Sequence, residues 1–406
     1  MHETTRQAPE SAEQRLAPEI APAQPGQEDE KRVTSLELFF DLVFVFALTQ
    51  VTGFVSSDPT WTRLLEGLAI LAVLWFAWSG YAWLGNTADA EEGRMRLPLL
   101  GAMGAMLIAS LAVPHAFGSD GLIFGLAYFA VRAFHVGTYA SVARTEHDEQ
   151  LQRVVARLAS TTMPAAVLLV VAGAASGTLR AVLWALALLV DYGGIMVRGV
   201  EGWRITPGHF AERHSQIVII ALGETIVSLG VGADRVPLEV GVIAAALLGL
   251  AVAAALWWAY FDVVALVAER RLRSARDDAQ ALMARDSYTY LHLPMIAGIV
   301  VFAIGVKRTI PQMDAHLAAV PATALCGGVA AYLLALSAFK RRNVGSFNRP
   351  RLVVGGTLLT ITPLMTLVPA LLALAIVTVL VCGMLVYEVR RYTDARQRIR
   401  HPERAA

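Results

Sequence analysis

Apolar runs of about 20 residues recur almost without interruption after position 36 of the sequence. A helix of this length crosses a hydrocarbon layer of about 30 Å, because each helical residue adds about 1.5 Å. Hydrophobic residues make up 56% of the 406 residues and charged residues only 17%, which leaves too little polar surface for a soluble protein. We therefore predict an all-α integral membrane protein with about twelve transmembrane helices.

The last apolar stretch determines the number of spans. It follows Arg351 and is too long for one span but rather short for two. A pair of arginines flanks it at each end, and the positive-inside rule places such residues in the cytoplasm, so the number of crossings must be even. Two short helices that meet between Pro363 and Pro369 satisfy this requirement. The predicted spans are 36–56, 62–84, 97–117, 121–142, 158–176, 179–198, 212–233, 237–267, 288–306, 317–339, 352–367 and 369–388.

Lysine and arginine are concentrated on one side of this arrangement. The exceptions are five residues in predicted external loops, Arg63, Arg180, Arg235, Lys307 and Arg308, and Arg132 within a span. Both termini are therefore predicted to be cytoplasmic. The near balance of 34 Lys and Arg against 33 Asp and Glu argues against nucleic acid as a partner.

The chain is predicted to have four segments. Residues 1–33 are rich in Pro, Glu and Gln and are predicted to form a disordered cytoplasmic tail. Residues 34–200 and 201–390 are predicted to be two six-helix halves, followed by a basic cytoplasmic tail at 391–406. The first and seventh spans begin with similar segments, LELFFDLVFVFALTQV and FAERHSQIVIIALGETIV, which favours a parallel six-plus-six pseudo-repeat as in transporters. Chance similarity between apolar helices is the alternative.

Ionisable residues inside the spans are the functional candidates, because a charge in a bilayer costs several kcal/mol unless it is paired or hydrated. The transport-pathway candidates are Glu37, Asp41, Arg132, Asp191, Glu224, Asp262 and His292. Glu37 and Asp41 share one face of the first helix near its cytoplasmic end. A structural role is the alternative for Glu37, because Thr34 and Glu37 form a capping-box pattern.

Glu224 lies about ten residues into the seventh predicted span, which places it near the bilayer midplane. Glu212, Gln216 and Glu224 fall on a polar stripe that is predicted to face protein or water. Gly223 is predicted to permit close helix approach beside Glu224. Arg132 reaches a similar depth in the fourth span. We therefore predict an ion pair between Arg132 and Glu224, either along a transport path or as a static pair that fixes helix packing.

Three further candidates, Asp191, Asp262 and His292, fall in the cytoplasmic halves of their spans under this topology. Together with Asp41 they are predicted to form a cytoplasmic vestibule. Pro294 removes a helix hydrogen bond near His292, and local breaks of this kind can coordinate ions. A kinked structural helix is the alternative interpretation.

Three separated blocks of sequence resemble the bacterial low temperature requirement protein A family. They are Glu37 with LFFDLVFVFA and Thr49-Gln50, Glu212-Arg213-His214 with IIALGETI at 219–226, and YLHLP at 290–294 with Gly298-Ile299. The resemblance covers nearly all of the chain after the N-terminal tail. It implies a location in the bacterial plasma membrane, but the family name describes a growth phenotype and implies no established reaction or substrate.

These observations favour a transporter or permeation protein for a small ion or solute. A membrane-embedded enzyme that acts on lipid or quinone, and a structural or stress-response membrane component, are the two alternatives. The sequence has no P-loop, dinucleotide fingerprint or HExxH motif, and its two cysteines lie in apolar runs. We therefore predict no enzymatic activity, catalytic residue, metal or cofactor. The predicted partners are membrane lipids and a small ion or solute.

Overall fold

The computed structural model describes residues 32–87, 93–234 and 236–393, together with Arg396 and Arg400. These residues form no β-strand, and twelve helical spans are long and apolar enough to cross a membrane. The predicted all-α, twelve-span membrane protein is therefore confirmed. The helices are α1 Ser35–Ser57, α2 Trp61–Thr87, α3 Gly93–Ala112, α4 Gly121–Thr145, α5 Glu149–Ala174, α6 Gly177–Arg198, α7 Pro207–Ala233, α8 Val240–Phe261, α9 Val264–Ser274, α10 Asp277–Met283, α11 Leu291–Thr309, α12 Ala319–Val344, α13 Arg349–Ile361 and α14 Ala370–Arg391. Most of the two predicted tails, residues 1–31 and 401–406 among them, and Arg235 lie outside the described residues.

Two spans contain more than one α-helix. The span Val240–Ser274 contains α8 and α9, and the span Asp277–Gln312 contains α10, a π-helical segment Ala284–Tyr290 and α11. The π-helical segment ends at Tyr290, directly before α11. Pro294, the predicted break, lies in the first turn of α11. π-Helical turns are rare in proteins, and many of those that do occur lie at functional sites.

Two helices begin well before their predicted spans. Helix α5 begins at Glu149 rather than 158, and α7 begins at Pro207 rather than 212. The first turns of both helices are polar, so hydropathy does not detect them. In α5, the side chain of Asp148 caps the helix by accepting a hydrogen bond of 2.9 Å from the Leu151 backbone N–H.

The last two spans have the predicted hinge. A 3-10 segment, Thr362–Leu367, joins α13 to α14, and Pro369 directly precedes α14. One assumption about this region is wrong, because Arg351 is not a loop residue. It is buried in α13, and its guanidinium donates hydrogen bonds of 3.0 and 2.9 Å to the two carboxylate oxygens of Glu388 on α14. This bidentate pair joins α13 to α14.

Small residues set the closest helix contacts. A Cβ added to Gly298 on α11 would lie 2.6 Å from the Gly328 carbonyl oxygen on α12. Gly121 on α4 and Gly173 on α5 are in similarly direct backbone contact. Packing in bilayers depends on such contacts because lipid tails are as apolar as the helices.

Helices α1 and α7 run parallel and in register. Glu37 contacts His209, Asp41 contacts Arg213 and Thr52 contacts Glu224, and each pair is 172 residues apart. We call this the α1–α7 interface. Because the number of spans within the described residues is even, α1 begins and α14 ends at the same face of the bundle, which we call the terminal face.

Candidate functional site

Glu37 lies at the terminal end of the α1–α7 interface. Its carboxylate accepts a hydrogen bond of 2.9 Å from the Thr34 backbone N–H, and the Thr34 hydroxyl accepts one from the Glu37 backbone N–H, which together form the expected capping box. His209 Nε2 lies 3.1 Å from the same carboxylate. Glu37 thus forms the capping box that was the basis of its structural interpretation. It also has a second partner, His209, that was not predicted.

Asp41 lies one turn deeper and is fully buried. Its carboxylate accepts hydrogen bonds of 3.0 Å from the Arg213 guanidinium and 2.8 Å from the Trp78 indole N–H. The Arg213 guanidinium also lies 5.7 Å from the Trp78 ring centroid. Arg213 therefore does not belong among the loop charges that determine topology, because it compensates Asp41 inside the bundle.

Arg132 is buried at the centre of a second cluster. Its guanidinium lies 3.3 Å from the Asp191 carboxylate and donates hydrogen bonds of 3.0 Å to the Phe76 carbonyl oxygen and the Thr162 hydroxyl. The Tyr128 hydroxyl donates to the other Asp191 oxygen at 3.1 Å. We call this the Arg132–Asp191 cluster.

The predicted pair between Arg132 and Glu224 is wrong. Helix α4 packs on α2, α3 and α5, whereas α7 packs on α1, α8 and α11. Residues at similar depth meet only when their helices face each other, and depth is all that the sequence reports. Asp191 on α6 takes the place that we assigned to Glu224.

Glu224 is surrounded by hydroxyl groups. One carboxylate oxygen lies 2.5 Å from the Thr49 hydroxyl, and the other lies 2.6 Å from Thr52 and 3.2 Å from Ser228. The side chain is 1% exposed, and no cationic side chain among the described residues lies within ion-pair distance of it. It is 17 residues after Pro207, so it lies about 6 Å beyond the middle of α7, away from the terminal face.

Two of the hydroxyls around Glu224, those of Thr49 and Thr52, each have a second acceptor. The Thr49 hydroxyl also lies 3.2 Å from the Val45 carbonyl oxygen, and the Thr52 hydroxyl lies 2.9 Å from the Thr49 carbonyl oxygen. Each hydroxyl has one hydrogen to donate. It can give that hydrogen to an ionised Glu224, or accept a hydrogen from protonated Glu224 and donate its own to the backbone. The site can therefore satisfy both protonation states.

Two expectations about the neighbours of Glu224 are wrong. Glu212 is exposed and Gln216 is only half-buried, so the predicted polar stripe does not enter the interior with Glu224. A Cβ added to Gly223 would meet nothing within 4 Å, so this glycine does not mediate a close helix contact. Both residues of the stripe lie nearer the terminal face, where exposure to polar surroundings is tolerated.

The four residues of the predicted vestibule, Asp41, Asp191, Asp262 and His292, share no hydrogen bond or ion pair with one another in the described part of the chain. His292 lies 2.9 Å from the Tyr260 hydroxyl and 3.0 Å from the Ser287 carbonyl oxygen, within the π-helical segment. The His214 ring lies 5.2 Å from the rings of both His292 and Trp78, so it links His292 to the indole that binds Asp41. The other two members have separate partners. Asp191 belongs to the Arg132–Asp191 cluster, and Asp262, at the end of α8, pairs with Arg396 and Arg400.

Several functional candidates were missed from the sequence, among them His209, Arg213, Thr49 and Thr52. One signal could have found the first two. The acids on α1 and the bases on α7 are both four residues apart, which is the spacing of one helix face. Thr49 and Thr52 have no such signal, because hydroxyls are common in spans and often bind only their own backbone.

Comparisons with known proteins identify the family of this chain. The family model described as bacterial low temperature requirement A protein (LtrA) matches residues 32–386. A protein of Rhizobium meliloti (strain 1021), named Uncharacterized protein RA0937, is 31% identical over 288 residues, which cover 68% of this chain and 69% of that protein. No solved structure matches the chain. The chain belongs to the bacterial low temperature requirement A family.

Proposed function

We propose that this protein transports or conducts a proton or small cation across the bacterial plasma membrane, with Glu224 as the group that binds the ion. The proposal rests on one observation above all. Glu224 is a buried carboxylate in a membrane span whose only side-chain partners among the described residues are hydroxyls. Intramembrane acids of this kind are typical of ion pathways and proton relays.

The chemistry of the site suits a proton or a hard cation. Carboxylate and hydroxyl oxygens are ligands that hard cations prefer. Protonation of Glu224 would neutralise its charge without leaving a neighbouring cation unpaired. The three hydroxyls come from both helices of the α1–α7 interface, Thr49 and Thr52 from α1 and Ser228 from α7. A small relative movement of these helices would therefore change the number of ligands around Glu224.

The other buried candidates favour a structural role over a place on the pathway. Asp41 and Asp191 each face an arginine, and the removal of one partner from a buried pair strands the other charge. Such pairs suit a fixed scaffold against which another part of the bundle moves. This observation also favours the alternative of a purely structural protein, in which Glu224 would have no transport role.

The orientation is part of the proposal. Although Arg213 and Arg351 are buried and paired, the loops on the terminal face still hold most Lys and Arg residues, and by the positive-inside rule this supports a cytoplasmic location for the face. Single cysteines at Ser176, between α5 and α6, and Asn348, between α12 and α13, test this in a variant without Cys326 and Cys382. An impermeant maleimide added to intact cells is expected to label position 176 only. Labelling of position 348 alone would reverse the orientation.

Ion flux into proteoliposomes tests the transport function. Purified protein is reconstituted with a trapped pH indicator, and proton, Na⁺ and K⁺ fluxes are measured under imposed gradients and potentials. We expect flux above that of empty vesicles, at least a tenfold loss in Glu224→Gln, and no change in Gly223→Ala, the matched control on the same turn. Absence of flux from the native protein at several pH values and potentials, or unchanged flux in Glu224→Gln, would contradict the proposal.

A further inference from the structure

A cavity lies between α2, α4, α5 and α6, the loop that follows α6, and the π-helical segment Ala284–Tyr290. Five of its lining residues are basic, Arg132, His135, Arg157, Arg198 and Arg285. None of the described lining residues is an acid. Glu224 does not line this cavity, and its side-chain hydrogen-bond partners among the described residues lie on α1 and α7. Its basic lining indicates an anionic ligand.

The inner end of the cavity has polar atoms without partners. Arg132 and His135 are each 1% exposed, and Nε of Arg132 and Nδ1 of His135 have no hydrogen-bond partner among the described residues. His135 Nε2 lies 2.9 Å from the Gly80 carbonyl oxygen, so in the neutral ring Nε2 carries the hydrogen and Nδ1 accepts. Arg132 and His135 are three residues apart on α4, so this unpartnered donor and this unpartnered acceptor belong to neighbouring side chains on one face of the helix. A hydroxyl group, which both donates and accepts, has the chemistry that suits such a pair.

The outer end carries the other three arginines. Arg198 is exposed at the end of α6, Arg157 donates one hydrogen bond of 2.6 Å to the Glu201 carbonyl oxygen, and Arg285 pairs with Asp286. Each guanidinium has five N–H donors, so donors are left at all three. Several arginines around one group suit a phosphate, which offers more acceptor oxygens than a carboxylate.

The middle of the cavity is apolar and aromatic. Trp83 and Trp203 pack edge to face, with ring centroids 5.3 Å apart, and both line the cavity together with Phe76 and Leu158. Arg198 lies seven residues after Asp191, the partner of Arg132, so the two ends are about 10 Å apart along α6. A ligand that reaches both ends is therefore a small molecule or a lipid headgroup.

We propose that this cavity binds a phosphate ester of a polyol, with the phosphate at Arg157, Arg198 and Arg285 and a hydroxyl at Arg132 and His135. Two sources have this chemistry, the headgroup of phosphatidylglycerol and a free polyol phosphate. Basic pockets between transmembrane helices are known to bind anionic lipid headgroups. The proposal does not depend on transport by Glu224, because the two sites share no residue.

Binding to the purified full chain tests this proposal. Dioctanoyl phosphatidylglycerol, glycerol 1-phosphate and dioctanoyl phosphatidylcholine are titrated in detergent by calorimetry against the native protein, Arg157→Gln/Arg198→Gln and Arg153→Gln. The last variant is the matched control, because Arg153 lies one turn before Arg157, is exposed and does not line the cavity. We expect phosphatidylglycerol to bind at least tenfold more tightly than phosphatidylcholine. We expect the double variant to lose at least tenfold in affinity for it and the control to keep native affinity.

The same titrations separate the two sources of ligand. Binding of phosphatidylglycerol without glycerol 1-phosphate would identify a lipid site, and binding of both with the same sensitivity to the double variant would identify a site for the free phosphate ester. A thermal unfolding curve for each variant verifies that it is folded. Equal affinity for phosphatidylglycerol and phosphatidylcholine, or native affinity in the folded double variant, would overturn the proposal.

Discussion

Two of the buried acids at the α1–α7 interface, Asp41 and Glu224, lie in opposite surroundings. Near the terminal face, Asp41 faces the Arg213 guanidinium at 3.0 Å and the Trp78 indole N–H. Eleven residues further along α7 from Arg213, Glu224 faces only hydroxyls. The same two helices, in the same register, therefore compensate one carboxylate with a full charge and leave the other with neutral dipoles.

This difference distinguishes a carboxylate that holds the structure together from one that can exchange a proton or cation. A buried ion pair is stable only as a pair, because neutralising or removing one member strands the other charge in a medium of low dielectric. Glu224 has no such partner among the described residues. It can gain a proton or bind a cation at the cost of rearranging hydroxyl hydrogens. We therefore assign Asp41 and Arg213 to the scaffold and Glu224 to ion binding.

The largest expected effect is the loss of the Arg213 charge. Arg213→Met leaves Asp41 buried without its cation and should lower the free energy of unfolding by about 3–5 kcal/mol. The double variant Asp41→Asn/Arg213→Met removes both charges and should recover much of this loss. Denaturant titration in detergent measures both. A double variant less stable than the single variant would show that the pair is not a mutually compensating unit.

The second effect concerns the space around Glu37. A Cβ added to Gly85 on α2 would overlap the Glu37 carboxylate, which Thr34 and His209 hold in place. Gly85→Ala should therefore cost about 1–3 kcal/mol of unfolding free energy, as overpacking usually does. Gly223→Ala is the control, because its Cβ would meet nothing and alanine favours the helix. Equal stabilities of the two variants would mean that Glu37 is free to move.

A smaller effect is expected for one hydroxyl of the Glu224 site. Thr52→Val keeps the shape of the side chain but removes a donor to the carboxylate, which should cost about 1 kcal/mol of unfolding free energy. Thr225→Val on α7 is the matched control, because the buried Thr225 hydroxyl has no hydrogen-bond partner among the described residues. That control should be neutral or stabilising. An equal loss of unfolding free energy in both variants would contradict a specific contribution of the Thr52 hydroxyl to the Glu224 site.

The smallest effect on stability is expected for Glu224→Gln itself. The amide can accept from one threonine hydroxyl and donate to the other, which has a backbone acceptor for its own hydrogen. The unfolding free energy should change by less than about 1 kcal/mol. A loss as large as that of Arg213→Met would place Glu224 in the scaffold with Asp41, and would remove the contrast between the two acids.

The spans could be predicted from the sequence because hydropathy reports length directly. The hinge between Pro363 and Pro369 could also be predicted, because proline marks where a helix cannot continue. Helix partners could not be predicted. The depth of Arg132 was evident from its position in the fourth span, but only packing could place Asp191 rather than Glu224 beside it.

The positive-inside rule also assigned two arginines to the wrong surroundings. It treats each arginine as a loop charge, and Arg213 and Arg351 are instead buried beside Asp41 and Glu388. The matching spacing of Glu37 with Asp41 and of His209 with Arg213 was available in the sequence. It gains meaning only when the two helices are known to be parallel neighbours. The six-plus-six pseudo-repeat stays a prediction.

Infrared difference spectroscopy of the purified protein between acid and alkaline pH tests most directly whether Glu224 exchanges a proton while Asp41 stays in its ion pair. Protonated carboxyl groups have a C=O band that carboxylates lack, and each variant identifies the residue that contributes to it. We predict a band that appears on acidification, disappears in Glu224→Gln and persists in Asp41→Asn. A difference spectrum that is unchanged in Glu224→Gln, or that loses its band in Asp41→Asn instead, would contradict the assignment of the two acids.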